Sequence, residues 1–94
     1  MVIEPFKMKV SPSQSKLVQK MLFENGYEWS DVGKKIQHTN KKCLCLHYDD
    51  YPSLAIMYDT SAYMCNITWE EFEKKYVIKY LRKEKLKKIE QNKF

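Results

Sequence analysis

The sequence predicts an α+β domain of order β-α-β-β-β-α, in which two helices pack on a mainly antiparallel sheet and a basic helical extension follows. Three observations support this prediction. Short runs alternate apolar and polar residues with the period of a half-buried strand. Two segments begin with capping boxes and continue with apolar residues three or four apart. The 94 residues are 44% hydrophobic with two glycines, which is typical of a single globular domain.

The first strand is predicted between Ile3 and Val10, because Phe6 and Met8 alternate there with lysines. Pro5 has no N–H to give to a neighbouring strand, so it indicates an edge position or a later start. This segment should therefore place one apolar face on the core and one charged face outside.

The first helix is predicted to begin after Ser11. Ser11 is a good N-cap, Gln14 completes an S-x-x-Q capping box, and a proline occupies the first helical position. Gly26 ends the helix, because glycine tolerates the left-handed conformation common at that position. One apolar stripe at helical spacing consists of Leu17, Val18, Met21 and Leu22.

The middle of the chain is predicted to hold a hairpin preceded by an extended stretch. Residues 27–41 have little periodicity, and we expect one further piece of strand near Lys34–Gln37. Alternation is clear in Lys42–Tyr48, and Leu54–Tyr58 is the returning strand after a turn-rich connection.

The second helix has the strongest start signal in the sequence. Thr68 and Glu71 form a T-x-x-E capping box, and Ile67 and Phe72 are spaced as a hydrophobic staple. The apolar stripe thins after Leu81, although good helix formers continue to the end. We therefore expect a domain at residues 1–81 and a basic helical extension at 82–94.

The charge of the chain is divided unevenly along its length. Residues 1–73 carry eight Lys/Arg and ten Asp/Glu, whereas residues 74–94 carry nine Lys/Arg and two Asp/Glu. Such a helix attracts phosphate or an acidic protein surface, or it serves only to solubilise the chain. The lysines surround the helix, which suits contact with a nucleic-acid backbone better than base readout. The predicted partner-binding residues are Lys79, Arg82, Lys83, Lys85, Lys87 and Lys88, together with Tyr51 and Tyr63 as possible interface anchors.

The strand around Cys43, Cys45 and His47, with Cys65 further on, raises the question of metal binding or catalysis. Thiolate and imidazole suit zinc, but C-x-C-x-H on a flat strand lacks the spacing of a zinc knuckle. A cysteine nucleophile with His47 or His38 as its base has no supporting motif. The interpretation we favour is buried cysteines that act as small apolar side chains. We therefore expect no metal, no cofactor and no catalytic residue.

The carboxylates Asp49, Asp50 and Asp59 follow the hairpin strands and could bind a hard cation. Their spacing is not that of an EF-hand, and solvated turn carboxylates are the interpretation we favour.

Cysteine content and hydropathy bear on location. The three cysteines favour free thiols in a reducing compartment. No apolar run approaches the ~20 residues that span a bilayer. The N-terminus lacks the apolar core of a signal peptide. We therefore expect a cytoplasmic protein that does not bind membranes.

Two sequence patterns resemble small uncharacterised accessory proteins encoded in tailed-phage genomes. The first is F-x-M-K-V followed by S-x-x-V-Q-x-x-L-F-x-x-G-Y-x-W, and the second is the ending I-T-x-E-E-F. Together they cover about residues 6–72. The resemblance implies a phage or viral source and the habit of blocking a host machine, including restriction and CRISPR systems. The resulting hypothesis is a non-catalytic inhibitor or modulator that docks on a host protein or ribonucleoprotein. The alternative is a nucleic-acid-binding accessory protein that uses the basic helix.

Overall fold

The computed structural model describes residues 2–48, 54–61 and 63–91, with side chains described for 2–47, 54–61 and 63–87. Tyr51, Asp49 and Asp50 therefore lie outside the described residues. The elements in chain order are β1 (Phe6–Lys9), α1 (Pro12–Glu24), β2 (Cys43–Tyr48), β3 (Leu54–Asp59), α2 (Trp69–Phe72), a π-helical turn (Glu73–Val77) and α3 (Ile78–Gln91).

The strands form one antiparallel sheet in the order β1-β2-β3. Phe6 of β1 lies opposite Leu46 of β2, and Leu46 lies opposite Ile56 of β3. These residues share the face that the helices cover, whereas the intervening residues point to the other face, here called the outer face. The α+β class, with an antiparallel sheet and two helical segments, is confirmed.

Both predicted N-caps start helices, and the Ser11 capping box is closed. The Ser11 hydroxyl accepts from the Gln14 N–H, and the Gln14 side chain accepts from the Ser11 N–H. The Thr68 hydroxyl accepts from the Glu71 N–H. Phe72 is fully buried, with its ring centroid 4.7 Å from that of Phe6. The second helix is therefore joined to the sheet from its first turn.

The second helix contains one π-helical turn that was not predicted from the sequence. The Ile78 N–H donates to the Glu73 carbonyl five residues back, which defines a π-helical turn. Tyr76 and Val77 within it are both buried. The Tyr76 hydroxyl accepts from the Glu4 N–H at 3.2 Å, so this turn also fixes the chain that enters β1.

The extra strand predicted between α1 and β2 is not formed. Trp29 makes only isolated bridges, one to Gly33 and one to Ile56. Gly33 and His38 have positive φ angles of 73° and 55°, which interrupt an extended path. The sheet therefore has three strands in the part of the chain that the structure describes.

A buried glutamine holds this long loop in place. Gln19 of α1 is fully buried, and its Nε2 donates to the Ser15 hydroxyl at 3.0 Å and to the Gln37 carbonyl at 2.7 Å. Its Oε1 accepts from Trp29 Nε1 at 3.1 Å and from the Gln37 N–H at 3.0 Å. The Gln19 side chain therefore satisfies the backbone of Gln37 and the indole N–H of Trp29.

Both edges of the sheet are partly covered. Asn66 pairs with Lys7 on β1, since its N–H donates to the Lys7 carbonyl and its Oδ1 accepts from the Lys7 N–H. On the other edge, the Ile56 N–H donates to the Glu28 carbonyl. These contacts limit edge-to-edge pairing with another chain.

Candidate functional site

Helix α3 carries the predicted basic residues, which lie on more than one side of its axis. Lys79, Arg82 and Lys83 are three and four positions apart, so they share one face of the helix. Lys85 and Lys87 extend this surface by one turn. All five side chains are exposed. We call these five residues the basic surface. Lys88 lies within α3, but its side chain is outside the described part.

Few carboxylates neutralise the basic surface. Among the described side chains, its one ion pair joins Lys87 Nζ to Glu84 Oε1 at 3.5 Å. Lys75, one turn before it, is instead bound to Glu4 at 3.0 Å. The basic surface therefore keeps most of its positive charge available to a partner.

Apolar side chains are exposed between these charges. Leu81 is 47% exposed and Leu86 is 60% exposed, and Ile78 is also exposed. Apolar side chains gain nothing from a phosphate backbone but are buried favourably in a protein interface. The exposed part of α3 therefore combines positive charge with apolar area.

The inner side of α3 is attached to the domain as far as its second turn. Tyr80 is buried next to the end of α1. A small cleft there is lined by Glu24, Asn25, Tyr80 and Glu84 together with Lys83 and Lys87 of the basic surface. Burial and the nearby Glu24 carboxylate raise the pKa of Tyr80. Of the basic surface, Lys79 therefore lies on the turn that Tyr80 anchors, and the other four residues follow that turn.

Tyr63 lies on the other side of the molecule. Its ring is 76% exposed, on the segment between β3 and α2 that crosses the outer face of the sheet. The Tyr63 carbonyl accepts from Lys7 Nζ, and Lys7 points to the outer face. Because the helices cover the opposite face, the structure does not bring Tyr63 together with the basic surface.

The cysteines and His47 lie along one face of β2. Cys43 and Cys45 are buried on the outer face, under the segment that carries Tyr63. Burial raises the pKa of Cys45 to about 11, and burial followed by the hydrogen bond to Cys65 raises that of Cys43. A protonated thiol is a poor nucleophile and a poor metal ligand. Among the described residues, no three histidine, cysteine or carboxylate side chains are grouped to hold a metal ion.

His38 does not lie near these thiols. Its ring stacks on Tyr58 with centroids 4.1 Å apart, beside Trp29. Tyr58 lies opposite Leu44, on the helix-covered face of the sheet, whereas the cysteines point to the outer face. The sheet therefore separates His38 from Cys43 and Cys45.

Asp59 at the end of β3 has a partner on β1, on the far side of the central strand. Its Oδ2 lies 2.7 Å from Lys7 Nζ across the outer face of the sheet. The hydrogen bond from Lys7 holds the pKa of Asp59 below its ordinary value. Asp59 therefore belongs to the contacts that fix the segment after β3, and the structure gives it a structural role.

Two features of this surface were not predicted from the sequence. One is the pairing of Lys7 with Asn66. These residues are 59 positions apart, and no local sequence pattern indicates that they meet. The other is the proximity of Cys43 and Cys65, whose sulfur atoms are 3.9 Å apart.

Within the described residues, no helix is long and apolar enough to cross a membrane. No family model, curated protein or solved structure matches the chain.

Proposed function

We propose that this protein is a non-catalytic binding protein that docks on an acidic surface of a host macromolecule through the basic surface of α3. The observation that carries the proposal is the exposed positive charge of Lys79, Arg82, Lys83 and Lys85, which has no carboxylate partner among the described side chains. Such uncompensated charge favours association with an oppositely charged surface.

The apolar residues of α3 support a protein or ribonucleoprotein partner. Leu81 and Leu86 can be buried against a partner, while the surrounding charges set the orientation of docking. The resemblance to phage accessory proteins supports the more specific proposal of an inhibitor or modulator of a host defence system. The buried, protonated thiols support a role without chemistry.

The test is a pull-down from a bacterial host lysate, with and without nuclease. The bait is the wild-type chain or Arg82→Glu/Lys83→Glu, which reverses two charges of the basic surface. The matched control is Lys34→Glu/Lys35→Glu, because these exposed lysines lie on the loop after α1 and give the same change in net charge.

We expect a specific host protein to be captured by the wild type and by the control after nuclease treatment. The α3 variant should lose it. Capture that disappears with nuclease and weakens steeply with salt would support the nucleic-acid alternative. Equal loss in both variants would contradict docking through α3.

A further inference from the structure

The outer face of the sheet holds two thiols that lie close together in space but far apart in sequence. Cys43 Sγ lies 3.9 Å from Cys65 Sγ. Cys43 lies on the central strand of the sheet, where it is opposite Lys9 of β1 and Asp59 of β3. Cys65 lies on the segment that crosses this face and is partly exposed.

The segment that carries Cys65 is held over Cys43 by several independent contacts. The Cys43 thiol donates to the Ser61 carbonyl at 3.3 Å. The Ser61 N–H donates to Asp59 Oδ1 at 3.0 Å, and Asn66 pairs with the backbone of Lys7. These contacts lie on both sides of Cys65 in the sequence. They bring the two sulfur atoms to a distance that a small rotation of the side chains can close to a bond.

We propose that Cys43 and Cys65 form a redox modification site, which a small disulfide such as oxidised glutathione converts to an intramolecular Cys43–Cys65 disulfide. The site goes beyond the proposed function and does not depend on it.

The exchange proceeds in two balanced steps. The thiolate of Cys65, which is the exposed partner, attacks one sulfur of the glutathione disulfide and releases one glutathione thiolate. The thiolate of Cys43 then attacks Cys65 Sγ, forms the protein disulfide and releases the second glutathione thiolate. The two thiol protons pass to the released thiolates. The protein loses two hydrogen atoms, and one glutathione disulfide is reduced to two thiols.

Cys45 is a matched control for this site. It lies two residues along the same strand and face and is buried like Cys43. Its neighbours across the strands are Lys7 and Met57, so its place in the register is displaced from that of Cys43. The geometry therefore predicts that Cys45 keeps its thiol when the other two are oxidised.

Burial of Cys43 sets the conditions of the experiment. Its pKa is raised by desolvation, so its thiolate fraction at neutral pH is small and the second step should be the slower one. The rate of closure should increase as the pH rises toward the pKa of Cys43. Cyclisation should still prevail over a second glutathione adduct, because Cys43 is buried from the reagent and close to Cys65.

The experiment treats the reduced chain with oxidised glutathione and follows mass, free thiols and thermal stability. Trypsin leaves all three cysteines on one peptide, because no Lys or Arg lies between Lys42 and Lys74. Cleavage before aspartate, at Asp49, Asp50 and Asp59, separates Cys65 from the peptide that holds both Cys43 and Cys45. The Cys45→Ser variant then assigns the link to Cys43.

We expect a monomer that has lost two hydrogen atoms, retains one free thiol and carries the Cys43–Cys65 link. Cys45→Ser should form the same link, whereas Cys65→Ser should not cyclise. The Tm of the oxidised chain should rise on the order of 10 °C and return on reduction. Cys65→Ser is the variant of choice because Cys65 is partly exposed and its loss leaves the core intact.

Four results would overturn the proposal. They are a link from Cys45 to Cys43 or to Cys65, a disulfide-linked dimer as the main product, a stable glutathione adduct on Cys65 without closure, and a lower Tm in the oxidised chain. The first three would show that Cys43 and Cys65 are not placed to bond with one another, and the fourth would show that the fold must distort to accommodate the bond.

Discussion

Replacing Gln19 with methionine removes the four hydrogen bonds that hold the loop between α1 and β2, while nearly preserving the volume of the side chain. Trp29 Nε1 and the backbone N–H and carbonyl of Gln37 lose their partners, and Ser15 can turn to its own helix. Each buried polar group left without a partner costs roughly 1–3 kcal/mol. Because water can reach Gln37, we expect a total loss of about 3 to 5 kcal/mol in the free energy of unfolding.

Urea unfolding followed by tryptophan fluorescence measures this loss; Trp29 reports on the loop because its indole is buried and bonded to Gln19, and Trp69 reports on the second helix. Gln37→Ala is the matched control. The Gln37 side chain makes one long contact, 3.4 Å to Asp31, and its backbone bonds to Gln19 remain. Its effect should stay within ~0.5 kcal/mol. If Gln19→Met lowers the free energy of unfolding by less than about 1 kcal/mol, the hydrogen bonds of Gln19 do not hold the loop in place.

Gln19→Glu adds a test in which pH is the variable. The new carboxyl must be protonated to donate to the Gln37 carbonyl, and burial disfavours its charged form, so its folded-state pKa should lie above the ordinary value. The folded chain then binds the proton more tightly than the unfolded chain. Relative to the wild type, the variant should be least destabilised below about pH 4.3 and should lose stability as the pH rises through the folded-state pKa. A stability profile parallel to that of the wild type would contradict this.

The remaining predictions concern the core, the outer face and metal. Phe72→Ala should cost about 3–5 kcal/mol, because its buried ring packs on both Phe6 and Tyr76, and an unchanged Tm would mean that this helix face is not packed. Asp59 has a lowered pKa, so its ion pair with Lys7 stabilises the fold above the ordinary carboxyl pKa and is lost as the pH falls through the lowered value. Asp59→Asn should therefore lose less stability than the wild type as the pH falls. If the free energy of unfolding falls equally in both proteins at acid pH, the pair does not stabilise the fold. Under reducing conditions the chain should carry no stoichiometric zinc in native mass spectrometry; a zinc adduct that Cys43→Ser abolishes would contradict the packing role of the thiols.

Local signals in the sequence predicted the elements that depend on local chemistry. The Ser11 and Thr68 capping boxes, and the alternation around Leu44 and Leu46, each act within a few residues, so the helix starts and the hairpin strands followed from them. The α+β class followed from their order along the chain.

The features that were missed depend on contacts between distant residues. One further piece of strand was predicted near Lys34–Gln37, but the backbone of Gln37 is bonded by Gln19 from a helix instead. In the sequence, nothing distinguishes Gln19 from a solvent-exposed glutamine on a helix, so its buried position was not predicted. The approach of Cys43 to Cys65 depends on how the segment after β3 crosses the sheet, which no short pattern encodes. The π turn at Glu73–Val77 has no sequence signature that we could identify.

The exposed charge of α3 could be predicted from composition, but the separation of the candidate anchors could not. Lys79 and Arg82 are on the outward side of a helix, whereas Tyr63 lies across the sheet. A single partner of ordinary size would contact one of these surfaces. The structure therefore directs the binding experiments to α3 first.

The most direct test of the account is truncation after Leu81, with folding and binding measured on the same preparation. Tyr80 is the last described residue of α3 that is buried, so the shortened chain should unfold cooperatively with a Tm close to that of the full chain. Its affinity for the captured partner should fall roughly tenfold or more, because four of the five residues of the basic surface are removed. A truncated chain that does not fold would show that residues 82–94 belong to the core, and one that folds and binds with full affinity would contradict docking through α3.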